Sequence, residues 1–305
     1  MNNLKYKLNP NWVTGFIDAE GCFYVRISKS KKHKIGWRVQ ACFQIGLHVR
    51  DKYLLLEIKT FFKNVGNIYI TNNNVINYQV RSINEITNII IPHFDKYPLI
   101  SQKQNDFIIF RNIVRLIKNN EHLNDEGLKK IVNFKASLNN GLSAILKINF
   151  PNLIKIKISK VNFTTYIDPY WIGGFFSGEG CLFINVCKAI DCKTGYSVKL
   201  QIRITQHIRD KLLLENLVNT LGCGTVNKHS KDEIVFIVSG IKNINNKIIP
   251  LFNQYKIKGI KYLDFKDFCK AAKIINKGNH LTSDGLKEIQ DIKSKMNRAR
   301  YKRTE

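Results

Sequence analysis

Two glutamates occupy the same unusual setting in distant parts of the sequence. Glu20 lies in WVTGFIDAEGCFYVRI (residues 12–27) and Glu179 lies in WIGGFFSGEGCLFINV (residues 171–186); six of the sixteen positions are identical. Each stretch reads as an apolar helix that runs directly into a strand. The sequence therefore places a carboxylate where a helix meets a strand, with glycine on its C-terminal side.

Small residues recur four apart in both helices, at Gly15 and Ala19 and again at Gly174 and Gly178. This spacing leaves one face of each helix without bulky side chains, which predicts close approach of another helix. The equivalent helix of the other copy is the natural partner. Such pairing would bring the two carboxylates together, and at ~6 Å they repel by roughly 3 kcal/mol at an effective dielectric of ~20. A divalent cation would remove that cost and could activate water for phosphodiester hydrolysis.

The match between the two copies extends along most of the sequence. LHVRDKYLLLEI (from Leu47) pairs with QHIRDKLLLENL (from Gln206) at the same offset of 159 residues. Later segments, including EHLNDEGLKKI and NHLTSDGLKEI, pair at an offset of 158. A register held this long indicates a tandem duplication. We expect an N-terminal domain at 1–141, a linker at 142–165 and a C-terminal domain at 166–305.

The pattern of each copy predicts an α+β domain with the order αββαββα. Asn9-Pro10 and Asp168-Pro169 are start signals for the first helix of each copy. In copy one the second strand alternates, with Arg38, Gln40, Cys42 and Gln44 on one face and Val39, Ala41, Phe43 and Ile45 on the other. In copy two Ser197, Lys199, Gln201, Arg203 and Thr205 oppose Val198, Leu200, Ile202 and Ile204. We expect further strand pairs at 67–71 with 77–81 and at 225–229 with 234–238.

The charge balance points to a polyanionic partner. The 305 residues include 49 Lys+Arg against 23 Asp+Glu, a formal net charge of +26. Because one face of each predicted sheet carries Arg, Lys, Gln, Asn, Ser and Thr, the side chains that contact bases and phosphates, nucleic acid is the expected partner. No apolar run of 18 residues occurs, so no membrane-spanning helix is predicted. The seven scattered cysteines, without CxxC pairs, argue against a disulfide framework or zinc ribbon.

Two further pairs of equivalent residues admit alternative interpretations. Cys22 and Cys181 could bind metal, but small packing residues are the favoured interpretation. His48 and His207 could contact phosphate or cap a helix, and the sequence does not decide between these. No Walker loop, GxGxxG fingerprint or Ser-His-Asp pattern occurs in a convincing setting.

The segments VTGFIDAEG and IGGFFSGEG resemble the two signature helices of single-chain LAGLIDADG homing endonucleases, or meganucleases, of the fungal mitochondrial intron-encoded type. The resemblance covers nearly the whole chain, including QHIRDK, CGTV and HLTSDGL. It implies that the signature helices form the domain interface and that two saddle-shaped, four-stranded antiparallel sheets grip a long DNA site in the major groove. It further implies hydrolysis of both strands across the minor groove, leaving short 3′ overhangs.

The resemblance also assigns roles to individual positions. It implies that Glu20 and Glu179 are catalytic metal ligands, with the carbonyls of Ala19 and Gly178 as additional ligands. Gln206, placed just after the second strand of copy two, matches a family position that orders water, whereas its counterpart is Leu47. Two lysines match a basic residue near the active site, namely Lys103 and Lys261. The expected cofactor is Mg²⁺ or Mn²⁺, with Ca²⁺ binding without supporting cleavage.

The polar faces supply the candidate base-reading residues, and a nine-residue strand of ~30 Å matches about nine base pairs. Two sheets would then cover a target of roughly 20 base pairs. The copy-one candidates are Arg26, Ser28, Ser30, Arg38, Gln40, Gln44, Thr71, Asn77, Gln79 and Arg81. The copy-two candidates are Phe183, Asn185, Cys187, Lys199, Gln201, Arg203, Thr205, Asn227 and His229. Because the copies differ at these positions, a non-palindromic target is expected.

Three functions remain open at the level of sequence. An active DNA endonuclease is favoured because both glutamates are kept. An intron-splicing maturase, with intron RNA as partner, is the main alternative on the same fold. A transcription regulator of LAGLIDADG descent fits poorly, because no appended helix-turn-helix segment is seen. We expect a monomer with pseudo-twofold symmetry that does not bind membranes. The resemblance and the abundance of residues with A/T-rich codons suggest a mitochondrial, organelle-encoded protein.

Overall fold

The computed structural model describes residues 8–71, 74–139, 141–153 and 166–300. The chain divides into two compact units, Met1–Asn162 and Phe163–Glu305. Part of the predicted linker, residues 154–165, lies outside the described residues. The described part of the linker contains the helix Ala144–Asn149, in which Leu146 is buried with the core of the first unit.

The first unit is built from four strands and seven helices, as far as the structure describes it. The strands are β1 Gly21–Lys29, β2 Trp37–His48, β3 Asn67–Thr71 and β4 Val75–Val80. The helices are α1 Pro10–Glu20, α2 Lys52–Phe61, α3 Ile83–Glu85, α4 Ile91–Lys96, α5 Lys103–Lys118, α6 Asp125–Ala136 and α7 Ala144–Asn149. A π-helical turn, Ile86–Ile90, joins α3 to α4, and 3₁₀ turns lie at Val49–Asp51 and Glu121–Leu123.

The second unit repeats this order of elements. Its strands are β5 Gly180–Lys188, β6 Tyr196–His207, β7 Thr225–Lys228 and β8 Glu233–Ser239. Its helices are α8 Pro169–Glu179, α9 Lys211–Leu221, α10 Ile241–Asn243, α11 Ile249–Gln254, α12 Lys261–Asn276 and α13 Ser283–Lys293. A π-helical turn again precedes the fourth of these elements, at Ile244–Ile248, and 3₁₀ turns lie at Ile208–Asp210, Asn279–Leu281 and Asn297–Arg300.

Each unit contains one four-stranded antiparallel sheet. The strand orders are β1-β2-β4-β3 and β5-β6-β8-β7. The pairing of Gly21 with Ile45 and of Gly180 with Ile204 fixes the same register in both copies. The predicted α+β class and the αββαββα order, with short helices added after the fourth strand, are confirmed. No helix in the described part of the chain has the length and apolarity required to span a bilayer.

The signature helices begin at the predicted signals. The Asn9 side chain accepts a hydrogen bond from the Asn11 amide at 2.9 Å, and Asp168 accepts one from the Tyr170 amide at 2.8 Å. Each cap precedes a proline, whose missing N–H costs nothing at the first helical position. Both helices are therefore fixed at their N-termini by the Asx-Pro pairs that the sequence predicts.

The residue after each glutamate must be glycine, because a side chain has no room there. A Cβ on Gly21 would overlap the Ile17 side chain, and a Cβ on Gly180 would overlap the Phe176 ring. The chain therefore turns from helix to strand directly against the last apolar turn of its own helix. This close turn holds Glu20 and Glu179 at the start of β1 and β5.

An aromatic cluster anchors β1 to the helices behind it. Phe23 is buried, and its ring centroid lies 5.4 Å from those of Phe43, Phe107 and Phe110 and 5.3 Å from that of Phe94. Because Phe23 faces the helices, alternate residues of β1 face away from them. The core thus sets which β1 side chains lie on the open face of the sheet.

The boundaries of four strands require correction. The fourth strand is Val75–Val80, so it starts earlier than predicted and ends before Arg81. β7 ends at Lys228, which leaves His229 in the turn, and β8 starts at Glu233. Gln206 lies inside β6 because the ladder continues to the pair of His207 with Glu233. Strand ends follow cross-strand pairing, which single-strand alternation does not report.

Candidate active site and nucleic-acid interface

Glu20 and Glu179 are the last residues of α1 and α8, and each is followed at once by a strand. Glu20 is half-buried and Glu179 is exposed. Each glutamate therefore directly precedes the first residue of a strand, β1 or β5. The second residue of that strand, Cys22 or Cys181, lies on the open face of the sheet. The structure confirms that each acid lies at a helix–strand joint, as the sequence predicts.

A lysine reaches the C-terminal end of each signature helix. Lys103 Nζ donates to the carbonyl oxygen of Ile17 at 3.0 Å and to that of Ala19 at 3.2 Å. Lys261 Nζ donates to the carbonyl oxygen of Gly178. A cation is favoured here because the helix dipole leaves negative charge on the last carbonyls. Both lysines thus lie next to the residue that precedes the glutamate, in equivalent positions.

The first turn of α5 is held by a buried carboxylate. Asp18 is 4% exposed and accepts from the Ile100 amide at 2.9 Å, from the Ser101 amide at 3.4 Å and from Ser101 Oγ at 2.5 Å. Ser101 Oγ in turn accepts from the Lys103 amide at 3.1 Å. These bonds connect the signature helix to the helix that carries Lys103.

Copy two makes this connection with a hydroxyl in place of the carboxylate. Ser177 Oγ accepts from the Lys258 amide at 3.0 Å and donates to the Gly173 carbonyl at 2.7 Å. Neither Asp18 nor Ser177 was singled out from the sequence, because their partners lie more than 80 residues away in the chain. The segment that carries the equivalent lysine is therefore bound to the signature helix by a carboxylate in copy one and by a hydroxyl in copy two.

The donors at the joint suit a hard cation. Each joint offers a glutamate carboxylate and the backbone carbonyls of Ala19 or Gly178, which are the oxygen ligands that Mg²⁺ and Ca²⁺ prefer. A carbonyl oxygen has two lone pairs, so the bond from lysine leaves one acceptor position. Among the described residues, no group of three or more His, Cys, Asp or Glu is placed to hold a metal. A cation here would therefore depend on the carboxylates, carbonyls, water and substrate oxygens.

The cysteines at the joints are poor candidates for metal ligands. Desolvation raises the pKa of the Cys22 thiol, and Lys103 only partly offsets this effect. Desolvation likewise raises the pKa of the Cys181 thiol, against the opposing effect of Lys261. Since the thiolate is the metal-binding form, these shifts support the interpretation of both cysteines as small packing residues.

The open face of the first sheet carries most of the predicted copy-one residues. Cross-strand pairs align Arg26 with Gln40 and Ser28 with Arg38. Thr71 ends β3, and its hydroxyl donates to the Val75 carbonyl at 3.2 Å. Two of the predicted residues lie beyond the strands: Ser30 in the β1–β2 turn and Arg81 after β4.

Asn77 and Gln79 differ from the other predicted base readers because each is only 6% exposed. Gln44 Nε2 donates to Asn77 Oδ1 at 2.9 Å, and Gln79 Nε2 donates to Gln44 Oε1 at 2.5 Å. The three amides form a network within the sheet. Asn77 and Gln79 therefore orient Gln44 and expose little of their own side chains at the open face.

The open face of the second sheet is organised around Arg203. Its guanidinium lies 4.5 Å from the Phe183 ring centroid, and its Nε and Nη2 donate to Gln201 Oε1 at 3.1 and 2.6 Å. Cation–π contact and a forked hydrogen bond together restrict the arginine to one orientation. The other predicted residues on strands of this face are Asn185, Cys187, Lys199, Thr205 and Asn227.

Gln206 lies on the other face of β6. It has the same parity as the buried Ile202 and Ile204, and it pairs with Ile234. Its equivalent, Leu47, pairs with Ile76 in β2. The polar residue in copy two and the apolar one in copy one therefore occupy matching half-buried positions near the end of the strand.

The two equivalent histidines act as caps. His48 Nδ1 accepts from the Arg50 amide at 3.3 Å, and His207 Nδ1 accepts from the Arg209 amide at 3.1 Å. The capping interpretation is confirmed for both rings, and a phosphate contact through Nε2 stays a prediction. Because Nδ1 is an acceptor, Nε2 carries the proton when the ring is neutral.

Sequence inspection missed two tyrosines on the first open face. Tyr24 pairs with Cys42, and Tyr69 pairs with Asn77. Burial, followed by a hydrogen bond with Cys42, raises the pKa of Tyr24 to about 12, so the phenol stays protonated as a hydrogen-bond donor. The available signals were the parity of Tyr24 with Arg26 and its equivalence to Phe183, the copy-two candidate at the same position.

The chain thus contains two α+β repeats, and in each the strand that begins the sheet follows a glutamate with a lysine beside it. The sequence profile described as LAGLIDADG endonuclease matches residues 13–114 and 172–272, one segment in each unit. The chain belongs to the LAGLIDADG endonuclease family.

Curated relatives carry matching names. "Probable intron-encoded endonuclease 2" of Neurospora crassa is 42% identical over 301 residues, covering 95% of this chain and 65% of the relative. "Probable intron-encoded endonuclease 3" of the same organism is 37% identical, covering 94% of this chain and 54% of the relative. The chain thus spans between about half and two thirds of the length of these relatives.

Solved structures match over the full length of both chains. The I-SmaMI LAGLIDADG homing endonuclease bound to cleaved DNA has a TM-score of 0.94 and 43% identity, covering 96% of this chain and 98% of that one. I-LtrWI bound to target DNA has a TM-score of 0.92 and 41% identity, covering 95% and 98%. I-SmaMI was also solved with an uncleaved DNA target in the presence of calcium ions, and with lysines replaced by alanine.

Proposed function

We propose that this protein is a site-specific DNA endonuclease that uses a divalent cation to hydrolyse both strands of a long, asymmetric duplex target. One observation carries the proposal: in each unit a polar sheet face, of the kind that contacts bases and phosphates, begins at a glutamate with a lysine beside it. The family and the DNA-bound structures of I-SmaMI and I-LtrWI support it.

Glu20 and Glu179 are proposed as the carboxylate ligands of the metal, with the carbonyls of Ala19 and Gly178 as further oxygen donors. The bound cation, Mg²⁺ or Mn²⁺, would supply water activation and stabilisation of the leaving oxygen. Ca²⁺ is expected to support binding of DNA without cleavage, and the calcium-containing complex of I-SmaMI with uncleaved DNA is consistent with this.

Lys103 and Lys261 are proposed as the catalytic cations of the two half-sites. Their ammonium groups already lie on the carbonyls that end α1 and α8, so a phosphate next to either glutamate would be within reach of a positive charge. Such a cation stabilises the charge that develops on the phosphoryl oxygens. Gln206 is proposed to order water in copy two, where Leu47 cannot do so in copy one.

The open faces of the two sheets are proposed to read bases in the major groove. The members on the strands that are exposed or half-buried are Arg26, Ser28, Arg38, Gln40, Gln44, Thr71, Phe183, Asn185, Cys187, Lys199, Gln201, Arg203, Thr205 and Asn227. Arginine and glutamine suit guanine and adenine edges, respectively. Because Gln44 is the equivalent of Arg203, the two half-sites should differ in sequence. A length of roughly 20 base pairs follows from two nine-residue strands.

The setting proposed for this activity is intron mobility in an organelle. Relatives are named as intron-encoded endonucleases, and a 24% identical relative from Saccharomyces cerevisiae is named as a mitochondrial protein. The alternative of an RNA-binding splicing factor does not require Glu20 and Glu179, and both are present. We therefore favour cleavage of DNA.

The test replaces each carboxylate by its isosteric amide. Glu20→Gln and Glu179→Gln should each reduce DNA cleavage in Mg²⁺ by about a hundredfold or more, because a metal ligand contributes several kcal/mol to the transition state. DNA affinity measured in Ca²⁺ should stay within a few-fold of the parent. Glu288→Gln, at an exposed position on α13, is the matched control and should change neither. Undiminished cleavage by either glutamate variant would overturn the assignment.

A further inference from the structure

The β-hairpin turns of the two sheets have the same backbone frame. The first tip is residues 30–36 and the second tip is residues 189–195. In the first tip the Ser30 amide donates to the Gly36 carbonyl at 2.8 Å, and in the second the Ala189 amide donates to the Gly195 carbonyl at 2.8 Å. Both glycines are left-handed, at φ 74° and φ 71°. The two tips are therefore interchangeable in backbone and comparable residue by residue.

The side chains on this shared frame differ in charge. The first tip carries Lys31, Lys32 and Lys34, a formal charge of +3, whereas the second carries one acid and one base, Asp191 and Lys193, and is neutral. All five of these side chains are exposed.

The flanking residues do not compensate for the difference. Each strand that leads into a tip ends in a lysine, Lys29 or Lys188, so these charges cancel in the comparison. Ile190 stands where the first tip has Lys31, and it is 99% exposed. In the first tip the Ser30 hydroxyl and His33 Nδ1 form a 2.8 Å hydrogen bond, which orders the turn beneath the lysines.

Each tip lies at the far end of a strand from its glutamate. β1 and β5 each contain nine residues between the joint and the tip. At about 3.3 Å per residue the separation is roughly 30 Å, which corresponds to about nine base pairs of duplex. If DNA follows the open face of the sheet, each tip reaches the outer end of a half-site and the duplex that flanks it.

We propose that the first tip is an electrostatic anchor that contacts backbone phosphates of the duplex at one end of the target, and that the second tip makes no equivalent contact. The proposal rests on the proposed DNA-binding function. It adds that a single target is held unequally at its two ends, independently of base sequence. Lys31, Lys32 and Lys34 are exposed and form no ion pair within the described part of the chain, so they suit phosphates, which are recognised by charge.

The two tips supply their own exchange variants. The variant Lys31→Ile/Lys32→Asp places the equivalents Ile190 and Asp191 of the second tip in the first tip. The second tip has the same backbone frame and already carries these two residues. Loss of two phosphate contacts should lower the slope of log K against log salt by about 2. The loss of affinity between 50 and 200 mM salt should then be about tenfold smaller than for the parent.

The reciprocal variant and a charge control complete the comparison. Ile190→Lys/Asp191→Lys should steepen the salt dependence by a similar amount. Lys129→Gln/Lys130→Glu changes the net charge by the same three units at exposed positions on α6, and its salt slope should stay at the parent value. Fluorescence anisotropy with a labelled 40-base-pair duplex of random sequence measures all four proteins without requiring cleavage.

A second measurement tests the asymmetry. Shortening a cleavable target by about three base pairs at one end should weaken binding more than shortening it at the other, and the difference should vanish in the Lys31→Ile/Lys32→Asp protein. Equal slopes for the tip variant and the α6 control, or equal effects of trimming either end of the target in the parent, would overturn the proposal. Absence of cleavage by the parent would instead count against the proposed function, because the binding slopes are independent of cleavage.

Discussion

The interior of the first unit contains a histidine that makes its stability depend on acid pH. Thr14 Oγ1 donates to the Tyr97 carbonyl at 3.1 Å and lies 3.0 Å from His93 Nε2. The hydroxyl has one proton, so His93 Nε2–H is the donor to Thr14. Phe61, Phe62 and Phe94 surround the ring edge-on. Desolvation in this setting lowers the pKa of His93 to about 4 from its ordinary 6.5.

The lowered pKa of His93 determines both the sign and the size of the change in stability with pH. The folded pKa lies below the unfolded pKa, so between pH 6.5 and 4 the unfolded chain binds a proton that the folded chain does not. Stability is therefore fully present above pH 6.5 and declines as pH falls through this window. A difference of about 2.5 units corresponds to about 3 kcal/mol. The ring keeps some solvent exposure, so this value is an upper bound.

Copy two provides the replacement. Leu251 occupies the position of His93, and Gly173 occupies that of Thr14, so the second unit has no titrating group at this point. In His93→Leu the free energy of unfolding of the first unit should decline less between pH 7 and pH 4 than in the parent, by up to about 3 kcal/mol.

The assay is urea unfolding at several pH values, followed by pulsed hydrogen exchange of peptides from the first unit, so that each unit is reported separately. His229→Leu, at an exposed position, is the matched control and should follow the parent curve. Parallel curves for His93→Leu and the parent would refute the reasoning.

Three other changes have defined outcomes. Asp18→Ala leaves buried amide and hydroxyl donors without their acceptor and should destabilise the first unit by about 3 kcal/mol in urea unfolding, against about 1 kcal/mol for Ser177→Ala in the second. Asn139→Ala removes a 2.8 Å bond to the Phe23 carbonyl at a residue with φ 50°, so it should cost about 1–2 kcal/mol, whereas Asn139→Gly should recover part of the loss in the same assay. Lys103→Met should slow single-turnover DNA cleavage about tenfold or more with little change in affinity, because the cation lies beside the proposed metal ligand.

Local sequence patterns predicted the features that local physics determines. Asx-Pro pairs set the starts of α1 and α8, and alternation assigned the two faces of β2 and β6. Internal repetition identified Glu20 and Glu179 as equivalent residues of the two copies. These signals depend on residues that are near one another in the chain, so a single sequence was enough to derive them.

Long-range contacts account for what the sequence did not predict. Asp18 contacts Ile100 and Ser101 across more than 80 residues, and no pattern within one segment reports such a pairing. Asn77 and Gln79 are buried because they lie on β4, next to β2, where their amides contact that of Gln44. Polar residues on an open face were taken as exposed, but in a central strand they can pack against one another and become buried.

The relation between the two units is the part of the account that remains a prediction. In the sequence, the spacing of Gly15, Ala19, Gly174 and Gly178 is the basis of the hypothesis that the two signature helices pair. In the double variant Gly15→Cys/Gly174→Cys, the two new cysteines should cross-link under mild oxidation if the two helices meet there. Failure to cross-link in a folded, DNA-binding protein would contradict the pairing.

The proposed cleavage of duplex DNA at one long, asymmetric site with a divalent cation can be tested by selecting cleaved molecules from a randomised duplex library. With Mg²⁺, sequencing of the ends should give a single non-palindromic site of roughly 20 base pairs, cut on both strands with 3′ overhangs. The same library should give no product with Ca²⁺ or with the Glu20→Gln protein. Cleavage without a divalent cation, or no cleaved product with Mg²⁺ from a protein that binds duplex DNA, would contradict the account.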